Sequence, residues 1–356
     1  MTLDPSWAPR PPRSSRRLSV VLASIGIVAA AIVVLVVGVT VANVRSADDA
    51  SPSPTSPPTP TVTVTATASP APSSPGAPVV SPAAQPCDKA TTLTIWAHPD
   101  DDIIFANPTI STAIAAGECV RTVFVTAGDA GKGMEYVRSR ELGIRQAYDH
   151  MRGSAQGWDT EQLSLLSGVH VTRETPKDDP RISLTFFHLP DGNITGSGFP
   201  STGDATITKL VDGQIPAIAP IDGGPAVTTA ALESSLTEIA TALQPSHVLT
   251  HIPRGSAFAP GDHPDHSTVG ALVRATVGKI ASVAPGIRYF VGYPSINLPA
   301  NVTGQALQAK VDTYRVYAHE DEVVRCANNT ACLATKKFGQ WLQRSYPKTD
   351  AELQMK

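Results

Sequence analysis

A chain of 356 residues is long for a single hydrophobic core, and its composition shifts abruptly along its length, so segments of different kinds are expected. Lys and Arg number 28 against 31 Asp and Glu; this net charge of −3, without a basic stripe outside the N-terminal tail, excludes nucleic acid as a partner. No internal repeat is present.

Residues 1–17 form a basic tail carrying Arg10, Arg13, Arg16 and Arg17, which the positive-inside bias keeps in the cytoplasm. Over 18–44 the run LSVVLASIGIVAAAIVVLVVGVTVANV has no charge, long enough at about 1.5 Å per residue to cross a hydrocarbon core of about 30 Å. It predicts a transmembrane signal anchor. A cleaved signal peptide would have a shorter apolar core and a small-residue cleavage site directly after it. Residues 45–86 are rich in Pro, Ser and Thr and lack the apolar content for a core, which predicts a disordered, extended stalk. The expected arrangement is therefore a single-pass protein of the cell membrane whose globular part, 87–356, is extracytoplasmic.

All four cysteines fall in that part, an even count suited to an oxidising compartment. Cys87 and Cys119 precede two strand-like runs, and Cys326 and Cys332 can close a short loop, so two disulfides are expected. A four-thiolate zinc site would instead call for CxxC pairs, which are absent.

From the stalk onward, TTLTIWA (91–97) reads as a strand. NPTISTAIAAGE (107–118) reads as a helix capped by Asn107, begun by Pro108 and ended by Gly117. CVRTVFVTAG is a second strand. EYVRSRELGIRQAYDHMRG is a helix with Val137, Ile144, Ala147, Tyr148 and Met151 at helical spacing. RISLTFFHLP, SHVLTHIP and IRYFVGY are further strands, and HSTVGALVRATVGKIA is a helix with Val269, Leu272, Val273, Thr276 and Ile280 inward. The alternation predicts an α/β domain, Rossmann-like, with a mostly parallel sheet and helices on both faces. Segments 154–180 and 195–228, weakly periodic, are expected to be insertions decorating the rim.

Ligands of such sheets bind beyond the carboxyl ends of the strands, where the polar loops HPDDD (98–102), TAGDAGKG and LPDGN converge. GDAGKG lacks the GxxxxGK[ST] spacing of a phosphate loop, with Gly133 where a hydroxyl should stand. A second His-Pro-Asp occurs in PGDHPDHSTVG (260–270), at a helix start. Imidazole nitrogens and a carboxylate oxygen suit zinc, and a catalytic site uses three such ligands with a fourth position for water. His98 and Asp101 can supply two ligands from one turn and a histidine of the second stretch the third, leaving Asp100 free as a general base. Asp102 reads as a solvated or helix-start carboxylate. His150, His188, His247, His251 and His319 read as structural, with His251 placed at a strand end near the rim.

AHPDDD followed by HPDH resembles the zinc-dependent de-N-acetylases of the PIG-L or LmbE-like family over most of residues 90–320, with VRSREL and LPDG similar to family stretches in the same order. The resemblance makes 87–356 an LmbE-like deacetylase domain. It implies zinc on His98, Asp101 and His266, Asp100 as base, and a protonated His263 polarising the amide carbonyl and meeting the oxyanion. It also implies Arg138 and Asp191 as substrate contacts. Two departures stand out: Asp102 replaces the usual Glu, and YAHED (317–321) replaces a Ser-Gln ending.

The implied function is an exported, membrane-anchored, zinc-dependent hydrolase that removes N-acetyl groups from amino-sugar glycans or glycoconjugates of the GlcNAc type, through metal-activated water and the Asp100 base. Its alternatives are an amidase acting on a non-sugar conjugate and a non-catalytic module that binds envelope glycans. A binder has no need of Asp100, so acetate release together with zinc content separates the two classes.

Overall fold

The computed structural model describes residues 80–356; the segments read as a cytoplasmic tail, as an anchor over 18–44 and as a stalk up to residue 79 lie outside the described residues. No helix among the described residues is long and apolar enough to cross a membrane. The last part of the stretch read as stalk already packs: Ala83 is buried against the core, and the Ser81 hydroxyl donates to Glu238 at 2.6 Å.

In chain order the elements are β1 (Thr91–Trp96), α1 (Thr109–Ala115), β2 (Cys119–Thr126), α2 (Met134–Arg152), β3 (Trp158–Ser164), β4 (His170–Pro176), β5 (Ile182–Leu189), α3 (Ile207–Val211), α4 (Thr229–Leu243), β6 (His247–His251), α5 (Pro264–Ala275), β7 (Ile287–Phe290), α6 (Gly304–Glu320), α7 (Asn329–Ala334), α8 (Phe338–Leu342) and β8 (Pro347–Lys348). The eight strands form one sheet in the order β3-β4-β5-β2-β1-β6-β7-β8. The five central strands, β5 to β7, are parallel, as expected. The outer strands are antiparallel.

Side chains alternate across the sheet. Leu93, Ile95, Val123 and Val125 face a core closed by Leu236 and Ala240 of α4 and Val269 and Val273 of α5. Trp96, Val120 and Phe124 face a second core with Ile144 and Tyr148 of α2 and Val311 and Tyr314 of α6. Helices therefore cover both faces.

Neither weakly periodic segment is mere decoration. Most of 154–180 is the β3–β4 hairpin that extends the sheet; only its inward residues, such as Leu163 and Val171, are apolar and buried, and a strand covered on one side carries half the usual signal. From 195–228, Ile207, Leu210, Ile218 and Val227 enter the first core. At the start of α1, Pro108 rather than Asn107 takes the capping position, and Asn107 Oδ1 accepts from the Ser111 amide at 3.1 Å. A short π-helical turn, Asp102–Ala106, which the sequence reading lacks, precedes it. Both disulfides are present, Cys87–Cys119 and Cys326–Cys332.

The chain runs outward from β1 to β2 and on to β5, then returns to β6 on the other side of β1. Neighbouring loops diverge at that reversal, and a crevice opens at the carboxyl ends of β1 and β6.

Candidate metal centre and active site

The turn after β1 is closed by its own backbone. The amides of Asp100 and Asp101 donate to the His98 carbonyl, and the His98 amide donates to Asp101 Oδ2 at 2.7 Å. This presents His98, Asp100 and Asp101 side by side. Across the crevice, Pro264 occupies the first turn of α5 and His263 caps it, its Nδ1 accepting from the Asp265 amide at 3.2 Å. His266, one turn in, is fully buried. Gly270 lets α5 lie against the end of β6, because a Cβ there would collide with the backbone of His251 and Ile252.

Two distant loops thereby meet. His98 Nδ1 lies 3.2 Å from Asp101 Oδ2 and 3.3 Å from His266 Nε2, and His266 Nε2 lies 3.0 Å from Asp101 Oδ1. A tetrahedral ion with ligand bonds of about 2.0–2.1 Å holds its ligands about 3.3–3.4 Å apart, so the donor set fits such a metal. The surrounding hydrogen bonds aim the same atoms inward. His266 Nδ1 is 2.9 Å from Asp262 Oδ1, which also receives the amides of His263 and Tyr293, while His98 Nε2 is 3.3 Å from Asp265 Oδ2. Carboxylates on the outer nitrogens fix both rings and leave Nε2 of His266 and Nδ1 of His98 as donors.

Electrostatics agree. Burial disfavours charge on His98 and His266, yet Asp101 and the neighbouring carboxylates raise both, His266 to about 9. Burial pushes the Asp100 carboxyl up to about 6 against the pull of Arg140.

The cavity beside these residues measures about 130 Å³, and Asp100, Asp191 and His263 line it with His98. Asp191 Oδ1 lies 3.8 Å from His263 Nε2, so the LPDG loop reaches the site as expected. A larger groove, about 1090 Å³, runs beside Ser81, Leu166 and Thr237, but no histidine lines it and the chemistry lies elsewhere.

Several expectations need amendment. Arg138 lies on the exposed face of α2, away from the cavity; Arg140, two residues on, lines it. The inward stripe Val137, Ile144 and Ala147 already places 140 on the buried face by helical spacing, a signal left unused. His263 was expected protonated. Burial, and then the charge of His98, lower it to about 4, and its Nδ1 is committed to capping α5. It can therefore offer a neutral Nε2–H. Asp102 is fully buried rather than solvated, accepting from the Tyr148 hydroxyl at 2.8 Å, and burial raises its carboxyl to about 7. His251, read as structural, stacks on His266 with ring centres 4.1 Å apart, and its Nε2 is 3.2 Å from Asp101 Oδ2. Sequence reasoning gave no part to Asp262, Asp265, Tyr293 or Asp321; the first two stand inside the quoted PGDHPDH stretch, Asp262 one helical turn before His266.

The family model described as PIG-L, GlcNAc-PI de-N-acetylase, matches residues 93–277, just over half of the chain. No curated protein sequence matches. Among solved structures, N,N'-diacetylchitobiose deacetylase from Pyrococcus horikoshii is similar at 15% identity, covering 66% of this chain and 71% of that one, with a TM-score of 0.38. A zinc-inhibited form of teicoplanin deacetylase Orf2 is similar at 14% identity, covering 70% and 90%, also at 0.38. The 4-carboxy-2-hydroxymuconate hydratase GalB from Pseudomonas putida is similar at 12% identity, covering 66% and 84%, at 0.36. At these scores the likenesses carry no argument about what this chain acts on.

Proposed function

The chain belongs to the PIG-L family, and on that premise we propose that it is a zinc-dependent de-N-acetylase acting on N-acetylated amino-sugar glycans or glycoconjugates, anchored in the cell membrane by residues 18–44 with residues 87–356 outside. The observation that carries the reading is the convergence of His98, Asp101 and His266 within 3.0–3.3 Å of one another, with Asp100 beside them.

His98, Asp101 and His266 would hold the ion. A bound zinc supplies Lewis-acid polarisation and brings the pKa of its water down towards about 7. Asp100 accepts the proton of the attacking water and returns it to the departing amine nitrogen. The neutral Nε2–H of His263 donates to the carbonyl oxygen as charge develops there, an interaction typically worth about 3–4 kcal/mol. Asp191 offers a carboxylate to a sugar hydroxyl. Water and the amide are consumed; acetate and the free amine leave.

The test is zinc content of the purified protein together with acetate release from N-acetylglucosamine oligomers, with and without chelator. Asp100→Asn should keep the metal and lose most turnover. Stoichiometric zinc with no acetate from a broad panel of acetylated glycans would refute the hydrolase and favour a glycan-binding module. Protease protection of the 1–17 tail in sealed vesicles, with residues 87–356 exposed outside cells, checks the topology.

A further inference from the structure

The stretch matched by the family model ends at residue 277, yet the segment after α6 sends a buried carboxylate, Asp321, to the wall of the same cavity. Between Asp321 and Asp100 lies one guanidinium. Arg140 NH2 is 2.9 Å from Asp100 Oδ1, its NH1 donates to the Gly128 carbonyl at 2.6 Å, and its Nε donates to the Tyr317 hydroxyl at 2.7 Å and lies 3.4 Å from Asp321 Oδ2. Asp321 is itself held: Tyr136 donates to Oδ1 at 2.8 Å, Tyr317 to Oδ2 at 2.7 Å, and the Val323 amide to Oδ1 at 2.9 Å.

We propose that Arg140 is a positioning residue that holds the Asp100 carboxylate in place for proton transfer, and that Asp321, with Tyr136 and Tyr317, orients its guanidinium. The inference rests on Asp100 acting as the base.

Three observations support it. First, each Arg140 nitrogen meets a different protein group, so the planar fork is fixed from three sides; a lysine would offer a point charge without that geometry. Second, the shortest contact of Arg140 with this carboxylate is to Oδ1, at 2.9 Å, so the ion pair fixes the group in the wall of the cavity that it lines. Third, the first of the three glycines of the TAGDAGKG loop finds its reason here. Gly128 has φ +58°, and a Cβ at that position would collide with the Arg140 guanidinium, so the loop is shaped around the arginine. The YAHED stretch, beyond the residues that the family model matches, thus supplies a second carboxylate beside Arg140.

The experiment uses the full chain and N-acetylglucosamine oligomers. Arg140→Ala should lower kcat at least 30-fold while KM stays within threefold and zinc content is unchanged, and added methylguanidinium should restore about tenfold. Asp321→Asn should lower kcat five- to tenfold with KM kept. A raised KM with kcat retained would make Arg140 a substrate contact and overturn the proposal, as would unchanged kinetics in either variant. A second readout is independent of turnover. In chelated protein, Arg140→Met leaves Asp100 buried without its partner, so adding Asp100→Asn should raise the melting temperature of that variant. If the two changes lower it additively, the pairing is refuted. A wild-type protein that releases no acetate while this coupling holds would sink the deacetylase reading and leave the pairing standing.

Discussion

Lys310 sits in the middle of α6, the helix that brings Tyr317 and Asp321 to the site, and only 2% of it is exposed. Its ammonium donates to the Arg344 carbonyl at 2.7 Å, and burial alone lowers its pKa to about 7 from the usual 10.5. The lowered value fixes the sign. Below pH 7 both the folded and unfolded chains carry the proton, and the folded state bears the full burial cost, on the order of 4–5 kcal/mol for a shift of this size. Between about 7 and 10.5 the unfolded chain holds a proton that the folded chain has released, so this contribution to stability rises with pH; above that range the cost is gone. From pH 6.5 to 9 the group alone should add about 2–3 kcal/mol. Lys310→Met keeps the length and removes the titration, at the expense of an unsatisfied Arg344 carbonyl costing about 1–3 kcal/mol. Urea unfolding of both proteins at pH 6.5 and 9 measures the effect as a difference between proteins, which cancels other titrating groups. The variant should be more stable than wild type at pH 6.5 and lose that advantage by pH 9. A difference that stays constant across the two pH values would show that Lys310 does not release its proton in the fold, and the reasoning would fall.

Asp262→Asn, which keeps the acceptor but removes the charge behind His266, should weaken zinc binding about 10–100-fold in chelator competition. His188 lies between Glu141 at 2.6 Å and Asp222 at 2.8 Å; burial opposes its charge but the two carboxylates raise it to about 9, so its stabilisation is complete below about 6.5 and is lost as pH rises through 9. His188→Gln should cost on the order of 2 kcal/mol at pH 6, discounted for the part-exposed Asp222, and little at pH 10, read from denaturant midpoints. Replacing both Cys87 and Cys119 by Ala opens a closure of 32 residues and should cost about 3–4 kcal/mol in reversible unfolding, less than reducing the native protein, which also opens Cys326–Cys332.

The strands, the flanking helices and both His-Pro-Asp turns were legible because each is written in contiguous residues. Strand runs such as TTLTIW are buried on both faces and made up largely of β-branched and aromatic residues, and a proline followed by an aspartate marks the start of α5 directly in the text. The β3–β4 hairpin escaped notice because WDTEQLS buries little beyond Leu163. The π-helical turn Asp102–Ala106 escaped because every one of its residues is buried, so DIIFA shows no period to read.

The site divides along the same line. His98 and Asp101 were read from the spacing of one turn, and His266 was singled out of the second His-Pro-Asp stretch by the family resemblance, whereas the groups that support them come from elements that only the topology brings together. His251 ends β6, Tyr293 follows β7, and Asp321 follows α6, each far in sequence from the turn it serves. Asp102 makes the point in reverse. It adjoins the turn, yet the turn is closed by backbone bonds to His98 and Asp100 and by Asp101 Oδ2, while Asp102 faces away to Tyr148. Tyr148 in turn meets Thr122 at 2.6 Å, so that carboxylate ties the turn to β2 and α2 rather than to the His98, Asp101 and His266 cluster. A substitution at residue 102 should therefore register first in unfolding and only through it in metal affinity, which is the opposite order from one at Asp262.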